Sequence, residues 1–166
     1  MTAARQQRKS PFWLRLVLGV ALAGNLLPPA GLQAATDNQL TVNADTGLAI
    51  SGFDPVAYFT EGKALFGRPE FELNFEGTVW RFANEGNRGA FAKHPDVYSP
   101  RFGGYDPVAI ERGRSVAGHP LIWIVVGQRL YLFYSEETRA SFLVDPGRFI
   151  DSAERKWPDL AHNLGH

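Results

Sequence analysis

The chain of 166 residues contains no cysteine, and methionine occurs only once. Without thiols the protein can have neither a disulfide framework nor a thiolate metal site, and it has no cysteine nucleophile. Histidine is also sparse, with four residues. Any metal would have to be bound by carboxylate and imidazole groups, which accept Zn²⁺ or Cu²⁺ but hold Cu⁺ poorly.

Familiar catalytic and nucleotide-binding motifs are absent as well. No serine lies in a Gly-x-Ser-x-Gly turn, the motif that presents the nucleophile in many hydrolases. The glycines form neither a Gly-x-Gly-x-x-Gly pattern nor a Gly-Lys-Ser/Thr phosphate loop. The sequence therefore predicts a protein that is not an enzyme.

The chain also lacks an apolar run of the roughly 20 residues that span a bilayer. Residues 14–27 are almost wholly apolar, follow a basic start and are followed by Pro28-Pro29 and by small residues at Ala34-Ala35. We interpret 1–35 as a secretory signal peptide that is cleaved near Ala34-Ala35, with a retained anchor as the alternative. This predicts a periplasmic or secreted protein that has no membrane contact after cleavage.

Positive charge is scarce in the rest of the chain. Removing 1–35 takes away four basic side chains and no acidic ones, which leaves 13 basic against 17 acidic groups and a net charge of −4. Without a basic stripe, such a chain lacks the positive surface that nucleic acid requires. Nucleic acid is therefore not an expected partner, and the remaining length fits a single domain.

An internal repeat is the strongest positive feature. Gly52-Phe53-Asp54-Pro55-Val56-Ala57 returns as Gly104-Tyr105-Asp106-Pro107-Val108-Ala109, and from Gly62 onward the similarity continues at an offset of 51 residues. Residues 52–98 have 13 identities with the later segment, where unrelated segments would give about three. We interpret 52–98 and 104–149 as two copies of one unit.

Each copy has the pattern of a hairpin followed by a helix. Residues 71–75 and 79–82 alternate between apolar and polar, which predicts a hairpin with one buried face. Residues 121–126 and 130–134 are almost continuously apolar, which predicts central strands that are buried on both faces. Asn84 and Ser135 are expected to cap the two helices.

The predicted fold class is α+β, with two strand–hairpin–helix units that share one antiparallel sheet covered by helices. Residues 49–166 are expected to form a single domain, preceded by an arm at 36–48 and ended by a helical tail at 150–166. The phenylalanines that are identical between the copies are expected at its hydrophobic centre: Phe82, Phe91, Phe133 and Phe142.

The pairs Asp54-Pro55 and Asp106-Pro107 are expected to anchor turns that lead into short strands. Aspartate can accept hydrogen bonds from backbone amides two residues further on, and proline fixes φ at the next position. Loss of the Asp54 carboxylate should then cost about 1 kcal/mol. The alternative is that the two carboxylates meet as metal ligands or as an acid/base pair, and their spacing does not decide between the two.

Four histidines complete the candidate residues. His94 and His119 each precede a proline and are expected in loops; together with Asp106 they are weak candidates for a metal site. His162 and His166 lie four residues apart near the C-terminus and could form an adventitious site. We expect no metal or other cofactor, with Zn or Cu as the alternative.

Residues 50–59, Trp80-Arg81-Phe82-Ala83 and Phe102-Gly103-Gly104-Tyr105 resemble the YHS-domain family, in particular its small exported members. The resemblance continues into the tail at Lys156-Trp157-Pro158 and covers nearly all of the chain after 1–35. It implies an association with metal, which relatives achieve with cysteines. Here Ala57 and Ala109 stand at the first cysteine position, and Asp106 stands where exported relatives carry a cysteine after Gly-Gly-Tyr.

Two functional hypotheses remain. The favoured one is a non-enzymatic, exported binding or interaction module for an unidentified periplasmic protein or small ligand. The alternative is a periplasmic metal-handling protein, or an accessory to a metalloenzyme, that uses carboxylate and imidazole ligands.

Overall fold

The computed structural model describes residues 40–42 and 45–164. The expected signal peptide, most of the arm at 36–48 and His166 lie outside the described residues. The described residues form six α-helices and four β-strands, in the order α1 (Ala57–Thr60), β1 (Arg68–Phe75), β2 (Thr78–Phe82), α2 (Glu85–Lys93), α3 (Pro95–Tyr98), α4 (Pro107–Glu111), β3 (His119–Val126), β4 (Arg129–Phe133), α5 (Glu136–Val144) and α6 (Pro146–Leu164).

The four strands form two antiparallel hairpins, β1–β2 and β3–β4. Both have a two-residue turn, Glu76-Gly77 or Gly127-Gln128, in which all four residues have positive φ; this conformation matches the twist of the flanking strands. Both ladders are interrupted at the same place, after Arg68 in β1 and after His119 in β3.

The expectation of one shared sheet is wrong, because each hairpin is a separate two-stranded sheet. The second hairpin instead packs through its faces, between two hydrophobic cores. Leu130 and Leu132 lie in the first core with Trp80, Phe82 and Phe91. Tyr131 and Phe133, which alternate with these leucines along β4, lie in the second core. The buried residues of that core are Phe102, Val108, Ile110, Tyr131, Phe133, Phe142, Phe149 and Ala153. The prediction of strands buried on both faces is thus confirmed for β4 but not for β3, most of which is only partly buried. The prediction that they are central strands is wrong, since among the described residues no third strand pairs with this hairpin.

All four phenylalanines predicted at the hydrophobic centre are fully buried, namely Phe82, Phe91, Phe133 and Phe142. Two of them belong to each core, so the centre is divided by β4. The predicted helix caps are also confirmed, since Asn84 accepts from the N–H of Asn87 at 2.9 Å and Ser135 from that of Thr138 at 3.2 Å.

Helices follow the two Asp-Pro pairs, where short strands were expected. Asp106 is the N-cap of α4, and Pro107 occupies its first turn, where the missing N–H of proline leaves no hydrogen bond unmade. Helix α1 begins at Ala57, two residues later relative to its Asp-Pro pair than α4 does. Local capping therefore outweighs the strand preference of the Val-Ala sequences that follow.

His119 is the first residue of β3, so the prediction that it lies in a loop is wrong. Helix α6 begins at Pro146 and continues for 19 residues. It includes residues 149 and 150, where the second copy and the tail are predicted to meet. No helix in the described part of the chain has the length and apolar content needed to span a membrane.

Gly67 and Gly118 allow the backbone of each hairpin to lie close to the segment that precedes it in the chain. Their N–H groups donate to the carbonyls of Gly52 and Gly104, in both cases at 2.9 Å. A Cβ atom at Gly67 would lie 2.3 Å from the backbone carbon of Arg81, and one at Gly118 would lie 2.7 Å from the Gly104 oxygen. Any side chain here would push the hairpin away from the Asp-Pro turn.

Candidate functional site

The Asp54 carboxylate is fully buried and accepts hydrogen bonds from four donors. Its Oδ1 accepts from the N–H groups of Val56 at 2.8 Å and Ala57 at 3.3 Å. Its Oδ2 accepts from the N–H of Ala83 at 2.8 Å and from Nδ2 of Asn87 at 2.6 Å. The carboxylate thus joins the start of α1 to the end of β2 and the first turn of α2.

Asp106 is buried to the same extent and has the same pattern of donors in the second half. Its Oδ1 accepts from the N–H groups of Val108 at 2.8 Å and Ala109 at 3.3 Å. Its Oδ2 accepts from the N–H of Tyr134 at 2.9 Å and from Oγ1 of Thr138 at 2.6 Å. Thr138 lies 51 residues after Asn87, so the two networks correspond position by position.

These hydrogen bonds explain how two carboxylates can be buried without a cationic partner. A buried charge is costly unless it is paired or fully hydrogen-bonded, and bonds to an ionised acceptor are about twice as strong as neutral ones. The donors of each carboxylate come from its own half of the chain, so the described contacts do not join Asp54 to Asp106. Both side chains connect elements of the fold.

The three histidines within the described residues lie at the surface. His119 is exposed and its Nδ1 accepts from the N–H of Leu121 at 3.2 Å. His94 is exposed at the end of α2, and His162 is exposed on α6. Within 40–42 and 45–164, no three His, Asp or Glu side chains form a group that could hold a metal ion.

Tyr58 connects the two halves. Its ring packs edge-on against Trp123, with centroids 5.0 Å apart, and its hydroxyl donates to the Pro120 carbonyl at 2.9 Å. Burial raises the pKa of Tyr58 well above its usual value, and the negative charge of Asp54 raises it further. The phenol therefore remains protonated in the folded protein throughout the neutral range.

An open groove of about 500 Å³ lies beside α6. It is lined by the β1–β2 turn at Phe75 and Glu76, by the segment 95–102, and by Glu154, Trp157 and Pro158 of α6. The Trp157 ring packs on Tyr105 and Phe102, with centroid distances of 5.3 and 6.1 Å. Its half-buried indole therefore forms a fixed wall of the groove.

Acidic groups predominate around this groove. Arg101 is its only cationic lining residue among those described, and it bonds Glu154 at 2.8 Å. Glu76 and Asp96 add two further carboxylates, which leaves the lining with a net charge of −2. Three prolines, Pro95, Pro100 and Pro158, form much of the remaining surface.

A second, smaller pocket of about 290 Å³ lies next to Asp106. Ala109, Val116 and Thr138 contribute to its walls, and the exposed side chains of Arg112, Arg114 and Tyr134 surround it. The Asp106 carboxylate belongs to the lining, but its two oxygens are already occupied by the four donors described above. Arg112 and Arg114 give the pocket its positive charge.

Sequence reasoning did not find the groove or the smaller pocket. Trp157 packs against the second core and also lines the groove. The separation between Glu154 and Trp157, three residues on one helix, was an available signal that they share a face. The other walls come from distant parts of the chain, which no local pattern could have brought together.

No protein-family model matches the chain, and neither the curated proteins nor the solved structures include a match to it. Function therefore has to be inferred from the residues of the groove and pocket.

Proposed function

We propose that the protein is a non-enzymatic, exported binding module of the YHS-domain type, whose groove holds an extended, cationic segment of a periplasmic partner protein. The observation that carries this proposal is the groove of about 500 Å³ beside Trp157, with its aromatic and proline walls and acidic lining. Its size falls within the range of about 300–1,000 Å³ that is usual for ligand sites.

The walls suit an extended peptide. Grooves lined by aromatic rings bind proline-rich segments, because these segments are already extended and lose little conformational entropy on binding. Trp157 is held in place by Tyr105 and Phe102. A peptide would therefore meet a preformed surface and would not have to order it.

The charges favour a basic segment. Asp96 is exposed near one wall and Glu76 lies in the β1–β2 turn, while Arg101, the one cation that the described residues contribute to the lining, is already paired with Glu154. Complementary charge speeds association and disfavours acidic partners. The Trp157 indole in the groove lining also provides a site for cation–π contact with an arginine or lysine.

A binding role fits the chemistry of the two Asp-Pro motifs. Asp54 and Asp106 are buried and all of their oxygens accept hydrogen bonds from the fold, so neither is available as a general base. The proposal therefore assigns them to scaffold formation and assigns recognition to the groove.

An internal duplication is part of the proposal. It is supported by the equal hairpins, by ladders interrupted at the same place, and by matching hydrogen bonds at Asp54 and Asp106. After duplication the last helices of the two copies diverged in length. In the first copy α3 ends at Tyr98, whereas its counterpart α6 continues to Leu164. The extension of α6 supplies Glu154, Trp157 and Pro158 to the groove.

Calorimetric titration with two synthetic peptides tests the proposal. One is proline-rich and carries two arginines, and the other has glutamates in place of those arginines. We expect saturable binding of the arginine peptide only. The Asp96→Lys variant should bind this peptide several-fold more weakly, because it places a cation where the peptide needs an anion.

The matched control is Asp151→Lys, which makes the same charge change at an exposed position of α6 that does not line the groove. It should bind the arginine peptide as the unmodified protein does. Equal binding of both peptides, or no saturable binding of either, would contradict the proposal.

A further inference from the structure

The pocket beside Asp106 has the features of a binding site for a small organic anion. Its volume of about 290 Å³ is open to solvent and is lined by residues of α4 and its N-cap, the segment after α4, the residue after β4 and the first turn of α5. It is separate from the groove, since the two share no lining residue.

Two arginines bring positive charge to this pocket. Arg112 and Arg114 both line it and are exposed, and within the described part of the chain neither forms an ion pair with a carboxylate. All five ion pairs found there use other arginines. Because each guanidinium has five N–H donors, the pair has a large hydrogen-bonding capacity that the fold does not use.

The backbone fixes the turn that carries both arginines. The N–H groups of Arg112 and Arg114 donate to the same carbonyl, that of Ala109, at 3.0 Å in both cases. Gly113 between them has φ of +73°, a conformation that glycine adopts without steric cost. The backbone positions from which the two side chains extend are therefore set before any ligand arrives.

Asp106 does not cancel this preference for anions. Its single negative charge is opposed by two guanidinium groups, and its oxygens are occupied by Val108, Ala109, Tyr134 and Thr138. The carboxylate therefore offers no free lone pair to a cation. The remaining walls at Ala109 and Val116 are apolar, and the Tyr134 ring is 64 % exposed.

We infer that this pocket binds a small organic anion, with its carboxylate or phosphate group between Arg112 and Arg114 and its apolar body against Val116 and Tyr134. Guanidinium groups pair with both kinds of oxyanion through parallel hydrogen bonds. A free inorganic anion would fill only a small part of the volume. The apolar walls therefore provide the contacts for the organic part of the ligand.

The corresponding positions of the first half differ. Lys63 stands 51 residues before Arg114, Ala83 before Tyr134 and Asn87 before Thr138. The first half thus has the same buried carboxylate at Asp54 without the paired arginines or the aromatic ring. The second half alone combines these groups.

Thermal-shift and NMR titrations of the purified protein with four probes test the inference. Benzoate and phenyl phosphate carry both parts of the expected ligand, inorganic phosphate carries only the anion, and benzyl alcohol carries only the ring. We expect saturable binding of benzoate or phenyl phosphate at up to about 1 mM, with amide shifts at 109–116 and 134–138. The tighter binder of the two shows whether the pocket prefers a carboxylate or a phosphate head group.

The variant Arg112→Gln/Arg114→Gln should weaken that binding by about ten-fold or more, because hydrogen bonds between charged groups are lost. Arg68→Gln is the control, since Arg68 is exposed on β1 and does not line this pocket. Inorganic phosphate binding as tightly as phenyl phosphate, binding unchanged in the double variant, or equal weakening in the Arg68 variant would each overturn the inference. So would the absence of saturable binding by benzoate and phenyl phosphate.

Discussion

Replacing the buried Asp54 carboxylate by alanine should destabilise the protein by about 3–5 kcal/mol, since each buried donor left without an acceptor costs about 1–3 kcal/mol. The variant removes three short hydrogen bonds, those from Val56, Ala83 and Asn87, and one longer bond from Ala57. The N–H of Val56 would be left without a partner in a buried position. The donors of Ala83 and Asn87 are half-buried, so water can replace part of their lost bonds.

This value is larger than the loss of about 1 kcal/mol expected from a single turn-anchoring bond. The sequence indicates the bonds to the residues just after Asp54. It does not reveal the bonds to Ala83 and Asn87, which lie 29 and 33 residues away. These long-range bonds make the carboxylate a connection between two elements as well as a turn anchor.

Two related variants sharpen the test. Asp106→Ala should lose slightly less stability than Asp54→Ala, because the single hydroxyl proton of Thr138, which Asp106 accepts in the native protein, has a second acceptor in the Ser135 carbonyl, 3.0 Å from Oγ1. Asp151→Ala, which removes an exposed carboxylate on α6, should change the free energy of unfolding by no more than about 0.5 kcal/mol.

Urea unfolding in metal-free buffer, followed by circular dichroism, measures these differences. The comparison holds when the free energy of unfolding has the same slope against urea concentration in every variant. A loss below about 1 kcal/mol for Asp54→Ala would refute the reasoning, since it would mean that the four hydrogen bonds make no net contribution beyond one ordinary bond.

Four other outcomes follow from the structure. Phe133→Ala should cost about 3–5 kcal/mol in a urea melt because the ring is fully buried against Phe142; a loss below about 1 kcal/mol would place the ring outside the core. Stability should fall above about pH 10, where a tyrosine ionises in the unfolded chain while the raised pKa of Tyr58 keeps it protonated in the folded one; Tyr58→Phe should flatten this decline, and an unchanged alkaline profile would contradict the assignment. The fragment 49–100 should give neither a dispersed NMR spectrum nor a cooperative melt, because its core requires residues of β4; a cooperative melt would contradict this. Elemental analysis should find no stoichiometric zinc or copper after isolation; one equivalent that survives dialysis and is lost in Asp106→Ala would revive the metal-handling hypothesis.

Local patterns were sufficient to predict much of the secondary structure. Asn84 and Ser135 were identifiable as helix caps, because each precedes a helical segment and has a side-chain oxygen that can accept from the first turn. The two hairpins were visible in the alternation of Phe71 to Phe75 and in the apolar runs of the second half. These signals depend on residues within a few positions of one another.

The arrangement of the hairpins could not be predicted from such patterns. An apolar strand pairs equally well in the centre of a sheet or packs by both faces between separate cores, and the sequence of Leu130 to Phe133 suits both. The helix after Asp106 was missed for a different reason, because a capping aspartate followed by proline is also the signature of a turn. The groove and pocket depend on contacts between residues far apart in the chain.

Mapping amide chemical shifts during titration with the arginine-containing, proline-rich peptide tests the central claim most directly. The account predicts that the shifted residues cluster at 75–76, 95–102 and 154–158, the segments that surround the groove, and that the glutamate peptide leaves them unchanged. Absence of shifts at about 1 mM peptide, or shifts that fall on other surfaces and spare these segments, would contradict it.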